Sequence, residues 1–231
     1  MRQTLQAGLE RLGIAVDPPA QEALLAFGQA VIEKNKVMNL TAITEPAAVA
    51  ELHLLDSLSL LKVLPLAGKS LLDVGTGAGF PGVPLKLAEP TIRLTLLDSL
   101  QKRMRWLETE ALPALGTDAR FLTGRAEEHA KDHRGKFDVV SSRAVARLNI
   151  LCELCLPFVH RGGYFLAMKG ADADEELKEA QQAIRTLGGS YERTECFAIG
   201  GAIHRVIVIR KTGDTPPQYP RPYAKIKQKP L

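Results

Sequence analysis

Apolar positions in the first part of the chain recur at helical spacing. Residues 3–34 read as two helices separated at Asp17-Pro18-Pro19, a cap-like break in which proline is tolerated in the first turn; Leu24, Leu25, Phe27, Val31 and Ile32 form the stripe of the second. A third helix is predicted over 46–62, with Thr44 as a candidate cap and Leu52, Leu55, Leu58 and Leu61 as its apolar stripe. After Pro65 and Gly68 the pattern changes. Short β-rich runs at 70–74, 92–98, 119–123, 137–141, 163–168 and 204–210 alternate with helical segments at 81–88, 100–112, 125–132, 147–158 and 172–187. Such alternation predicts an α/β fold, a mostly parallel twisted sheet with helices on both faces. A further run at 190–198 precedes 204–210 with no helix between them, which predicts an antiparallel hairpin at one end of the sheet. From Thr212 onward the chain is rich in proline and reads as an extended tail. The expected organisation is a helical extension over 1–65, an α/β domain over 66–211 and a tail over 212–231.

Composition narrows the class. With 231 residues, 45% hydrophobic and 24% charged, the chain has the make-up of an ordinary globular protein and not of a disordered one. No stretch of eighteen apolar residues and no leader-like start is visible, so a cytoplasmic protein without membrane contact is expected. Three cysteines fit a reducing compartment and do not make a disulfide framework; no metal site is expected either. The net charge of +4 is uneven. Residues 210–231 hold six basic side chains against one acid, so that segment carries the whole positive excess. It is either a solvated end or a contact for a polyanion such as a phosphate backbone, with Arg221, Lys225, Lys227 and Lys229 as its cations.

The most informative stretch is Asp73-Val74-Gly75-Thr76-Gly77-Ala78-Gly79-Phe80-Pro81-Gly82, which follows a predicted strand and opens a helix. Glycines there let the backbone approach a ligand at the carboxyl end of the strand. Asp98 ends the next strand, where its carboxylate can accept hydrogen bonds from ribose hydroxyls. A dinucleotide fingerprint would have a small residue where Phe80 stands, and a Walker loop would have Gly-Lys-Ser/Thr. Asp73, awkward beside a pyrophosphate, would suit an ammonium group. These features point to S-adenosyl-L-methionine, with Asp73, Gly75, Gly77 and Asp98 at its site.

The fourth predicted strand ends Ser141-Ser142-Arg143, without the Asn/Asp-Pro-Pro-aromatic turn used on exocyclic amines and without a cysteine nucleophile for carbon methylation. An acceptor whose lone pair is already nucleophilic, such as guanine N7, needs neither device. Arg143 is the leading catalytic candidate: it could bind the cofactor carboxylate, a phosphate or the Hoogsteen edge of guanine, or form an ion pair with a nearby acid. Lys169, at another strand end, is the second. Cys152 and Cys155 read as helix packing. His53 and Asp56 read equally as RNA contacts or as a packing pair.

In order along the chain, Asn35-x-x-x-Asn39-Leu40-Thr41-Ala42-Ile43, His53-x-x-Asp56-Ser57-Leu58, the glycine-rich loop, Leu97-Asp98-Ser99, Gly124-Arg125-Ala126-Glu127-Glu128, Ser142-Arg143-Ala144, Met168-Lys169-Gly170 and Tyr219-Pro220-Arg221 resemble the RsmG (GidB) family of bacterial 16S ribosomal RNA guanine-N7 methyltransferases. The resemblance implies a Rossmann-like class I methyltransferase acting on a guanosine in the decoding region, with 16S rRNA or the small ribosomal subunit precursor as partner and the chain as a monomer. Carried over by position, it puts Gly75 and Phe80 on the methionine side. Asp98, Ser99 and Leu100 go with the ribose and adenine, Ala126 and Glu127 flank the adenine, and Arg143 sits at the cofactor's edge. Three other readings stay open: a small-molecule or protein acceptor, an RNA-binding module without catalysis, and a nicotinamide oxidoreductase, the last disfavoured by Phe80.

Overall fold

The computed structural model describes every residue except Ala144. The β-rich runs become β1 (Ser70–Val74), β2 (Arg93–Asp98), β3 (Arg120–Thr123), β4 (Phe137–Arg143), β5 (Val159–Lys169), β6 (Gly189–Ile199) and β7 (Ala202–Lys211). They form one sheet of order β3-β2-β1-β4-β5-β7-β6. The first five strands pair in parallel, and β7 runs antiparallel to both β5 and β6, as the hairpin pattern predicts. The strand order reverses between β1 and β4. Connections leave those two strands in opposite directions, which opens a crevice at their carboxyl ends.

Side chains alternate across the sheet with the strand period of two. Leu71, Leu94, Leu96, Val139, Leu166 and Val208 join one buried cluster. Leu72, Leu97, Val140, Phe165, Ile207 and Ile209 join the other. Helices Arg2–Leu12, Pro18–Met38 and Gly82–Ala88 cover the first face, and Leu5, Leu24 and Phe27 bring the N-terminal helices into the same core. Helices Ala126–His133, Leu148–Cys155 and Ala173–Thr186 cover the second. No helix among the described residues is long and apolar enough to cross a membrane.

The helix predicted over 46–62 departs from its pattern. It runs as Pro46–Val49, a π-helical turn Ala50–Leu55, Asp56–Leu58 and Leu60–Val63. Residues 53–60 are all buried, because this run is wedged between the Arg2–Leu12 helix and the sheet's edge at β6. A single apolar stripe therefore understates its burial, and His53 and Asp56 go inside with it. Its cap is Glu45 and not Thr44: the Glu45 carboxylate accepts from Ala48 N at 2.7 Å. Asp17 stands before Pro18 as expected, but its side chain makes no capping bond.

The tail is a second departure. Its prolines flank a short helix, Tyr223–Gln228, which contains none itself. Ile226 is fully buried, and Tyr219, Tyr223 and Leu231 pack on the second cluster. Arg221 donates from its backbone N, Nε and Nη2 to the Glu153 carboxylate at 2.8, 2.9 and 2.6 Å, and Glu153 has no exposed surface. Arg221 is therefore an internal cation, not one free for a phosphate; Lys225, Lys227 and Lys229 remain exposed.

Phe165, fully buried on β5, sits between Val140 on β4 and Ile209 on β7. Phe165→Ala should lower unfolding free energy by roughly 3–5 kcal/mol, from lost transfer and an unfilled cavity. Urea denaturation checks it; a loss below about 1 kcal/mol would mean the sheet collapses onto the site.

Candidate active site at the carboxyl edge of the sheet

The loop after β1 is shaped by backbone constraint. Gly75 and Gly77 have φ of 72° and 59°, the left-handed region where a side chain is strained. A Cβ on Gly75 would also fall 2.4 Å from Val145 Cγ2. Gly75 N and Thr76 N both donate to Leu97 O on β2, at 2.8 and 3.2 Å, so the loop is tied to the neighbouring strand. The Asp98 carboxylate accepts from Gly77 N at 2.9 Å and from Leu100 N at 2.8 Å, which fixes it at the end of β2 facing the loop.

A cavity of about 270 Å³ lies above these groups. Of the residues expected there, Gly75, Gly77, Asp98, Ser99, Ala126, Glu127 and Arg143 line it. Leu100 is next to Ser99 and half-exposed, outside the lining.

Asp73 and Phe80 do not reach the cavity. Asp73 is fully buried behind the loop, where its carboxylate accepts from Thr76 Oγ1 at 2.7 Å, Gly82 N at 3.0 Å and Ser141 Oγ at 3.1 Å. These three donors take the place of the ammonium expected from the sequence, so Asp73 clamps the loop and does not meet a ligand. Burial pushes its carboxyl up to about 6, against the pull of those hydrogen bonds. Phe80 is buried beneath Arg143: its ring stacks on His53 at 4.6 Å and lies 5.2 Å from the Arg143 guanidinium carbon. Aromatic bulk at this position supports the arginine from below.

Arg143, at the end of β4, joins the first cavity to a second of about 680 Å³. Its Nη1 donates to Leu52 O and Asp56 Oδ2, both at 2.9 Å, and its Nη2 lies 3.2 Å from His53 Nδ1. The acid partner is thus found, but the pair is internal: the side chains of Arg143 and Asp56 are 16% and 6% exposed. The other Asp56 oxygen meets His204 Nδ1 at 2.7 Å. Burial works against an ionised Asp56, but His204 and Arg143 outweigh it and hold the carboxyl below its ordinary range. The hydrogen bond to Asp56 in turn raises the His204 imidazole. Burial, then the Arg143 charge, lowers His53 to about 4, so it is neutral. Its Nδ1 lies 3.1 Å from Leu52 O and 3.2 Å from Arg143 Nη2, and its Nε2 lies 2.8 Å from Thr41 Oγ1.

The second cavity is lined by Leu52, His53, Asp56, Lys169, Glu176 and His204 together with Arg143 and Val145. Lys169 is committed: its Nζ donates to Glu176 and to Ala146 O, each at 2.6 Å. Cys152 and Cys155 are fully buried, and burial raises both thiols. Reading the sequence missed Val145, Leu154, Arg125 and Tyr223 in the first cavity and Glu176 and His204 in the second. Only Arg125 lay inside a motif; the others carry no local signal.

Residues 20–206 match the family model for rRNA small subunit methyltransferase G, GidB. The chain is 44% identical over 239 residues to the ribosomal RNA small subunit methyltransferase G of Alkaliphilus oremlandii, covering 100% of this chain and 99% of that one. Its identity to the protein of the same name from Pelotomaculum thermopropionicum is 44% over 227 residues, covering 96% and 95%. The chain belongs to the GidB family. Among solved structures, TrmN from Thermus thermophilus is similar in fold, with a TM-score of 0.52 at 22% identity over 67% of this chain and 48% of that one. A GidB-family methyltransferase uses S-adenosylmethionine. The site fits that group: left-handed glycine backbone bordering the cavity, where a side chain at Gly75 would meet Val145, and the Asp98 carboxylate at the end of β2 as an acceptor.

Replacing Asp73 by asparagine keeps the clamp's shape and removes its titration. The folded carboxyl titrates near 6 and the unfolded one at its ordinary 3.8, so between them the native state holds the extra proton. That contribution is complete below the unfolded value and lost as pH rises through about 6. Wild type should therefore lose about 2 kcal/mol relative to Asp73→Asn between pH 4 and 7. Urea unfolding of both proteins at the two pH values checks it; a difference that does not change with pH would show the carboxyl to be ionised throughout.

Proposed function

We propose that this protein transfers a methyl group from S-adenosylmethionine to N7 of a guanosine in the decoding region of 16S ribosomal RNA, presented as the RNA or as a small-subunit precursor. The observation that carries the reading is the meeting of two cavities at Arg143 and Val145, one bounded by the glycine loop and Asp98, the other open beside it. Gly75, Gly77, Asp98, Ser99, Ala126 and Glu127 would hold the cofactor; Leu100 would lie at its rim. When bound, that group supplies an electrophilic methyl on a sulfonium.

What the chain must then do is align. Guanine N7 carries a lone pair and no proton, so no general base and no covalent nucleophile is required. In keeping with this, the two buried cysteines are inert, and His53 is tied between Arg143 and Thr41. Arg143 is held by four groups and cannot swing, so it defines the border between the sites.

Mass mapping of 16S rRNA from a deletion strain, before and after complementation, tests the reaction; an unchanged guanosine would refute it. Arg143→Ala should lower turnover by about 10²-fold or more. It should also lower the melting temperature, because it strips a buried carboxylate of its partner. Adding Asp56→Asn should restore melting but not turnover; near wild-type turnover in either variant would leave Arg143 a structural cation.

On the RNA side, the exposed Lys225, Lys227 and Lys229 flank the cavity wall at Tyr223. Changing all three to alanine should make the slope of log K against log salt shallower by roughly 2–3, at about 0.7–0.9 per phosphate contact. An unchanged slope would remove them from the RNA surface.

A further inference from the structure

The segment that looked from its charge like a free arm is docked, and its docking delivers one side chain to the cofactor cavity. Tyr223 shares that lining with Gly75, Asp98 and Glu127. Three sets of contacts hold it there. Arg221 is latched to Glu153, a carboxylate with no exposed surface. Ile226 is fully buried against the second core cluster. Arg134 donates to the carbonyls of Thr215, at 3.0 Å, and Tyr219. The latch is also close to the site in sequence: Glu153 neighbours Leu154, which lines the cavity, on the helix Leu148–Cys155. Arg125, which lines the same cavity and immediately precedes Ala126 and Glu127, sits over the tyrosine ring with its guanidinium carbon 5.3 Å from the ring centre.

We infer that Tyr223 is a cofactor-binding residue, forming the wall of the site for the adenosine half, with the Arg221–Glu153 latch and Arg125 as positioning groups. The inference rests on the reading of this cavity as the S-adenosylmethionine site. The chemistry is that of an aromatic face offered to a purine: the ring brings apolar area and a π-surface, and Arg125 on it limits its rotation. Its fixed position reduces the ordering that binding would otherwise require. The same contacts account for why a basic, proline-rich segment packs down at all. An arm that served only phosphates would have no use for an arginine paired with a carboxylate in the core, nor for an isoleucine with no exposed surface.

The test is calorimetric binding of S-adenosylhomocysteine and of adenosine to wild type and to Tyr223→Phe, Tyr223→Leu, Tyr223→Ala and Arg221→Met, with melting temperatures measured without ligand. Tyr223→Phe should bind like wild type. Tyr223→Ala and Tyr223→Leu should lose about tenfold for both ligands, the usual worth of one well-placed aromatic contact. Leucine keeps the apolar volume, so its loss would be that of the π-face and not of packing. Arg221→Met, which touches no ligand, should weaken binding through the freed tyrosine. In wild type, S-adenosylhomocysteine should slow tryptic cleavage after Lys225 and Lys227, because a filled cavity holds the segment down. Unchanged affinity in Tyr223→Ala with a wild-type melting temperature would overturn the inference. So would a loss seen with S-adenosylhomocysteine but not with adenosine, which would put the ring against the amino-acid half. Failure of wild type to bind either ligand would instead refute the cofactor reading itself.

Discussion

The Asp73 carboxylate, fully buried at the end of β1, accepts hydrogen bonds from Thr76, Gly82 and Ser141. Those donors belong to the loop after β1, the helix that the loop opens and the neighbouring strand β4. One buried acceptor thus fixes the two strands that flank the switch in strand order and the loop between them. An unpaired carboxylate at this depth would cost several kcal/mol, so the loop has little freedom to leave. The approach of Gly75 and Gly77 to the cavity, and the placement of Asp98 with its carboxylate on the Gly77 N–H, follow from that constraint.

A second internal charge cluster joins the N-terminal helices to the catalytic edge. Arg143 from β4 reaches Leu52, His53 and Asp56, and Asp56 reaches His204 on β7. The helical run over 46–63 therefore lines the second cavity and also covers the sheet. Its π-helical turn holds Leu52 and His53, two of the residues that Arg143 contacts, with Asp56 directly after it, in line with the tendency of such turns to occur at functional positions. Burial makes the cluster sensitive to its protonation pattern: burial and the arginine charge keep His53 neutral, while His204 is drawn toward the charged form by Asp56.

The C-terminal segment shows why a count of charges is not a map of a surface. Its positive excess is real, yet Arg221 is neutralised by a fully buried carboxylate on the helix Leu148–Cys155, against which the segment packs. What remains outside are the three lysines, on the short helix that begins with Tyr223 of the first cavity's lining.

Read alone, the sequence determined the seven strands and their alternation with helices, the antiparallel hairpin, the glycine-rich loop and the acid at the end of the next strand. These depend on local periodicity, on glycine's access to positive φ and on short motifs, all of which are written within a few residues. It did not determine what each charged group faces. Asp73 looked like a ligand contact and proved to be a clamp, because whether its oxygens meet solvent or Ser141, which lies 68 residues away, depends on how β1 pairs with β4. Arg143 and Asp56 are 87 residues apart, and Arg221 and Glu153 are 68 apart. Each pair forms only when separate elements pack, and in each the low dielectric of the interior makes the partner decisive. Tyr223 carried no signal of its own in the sequence; only the docking of its segment puts it in the cavity.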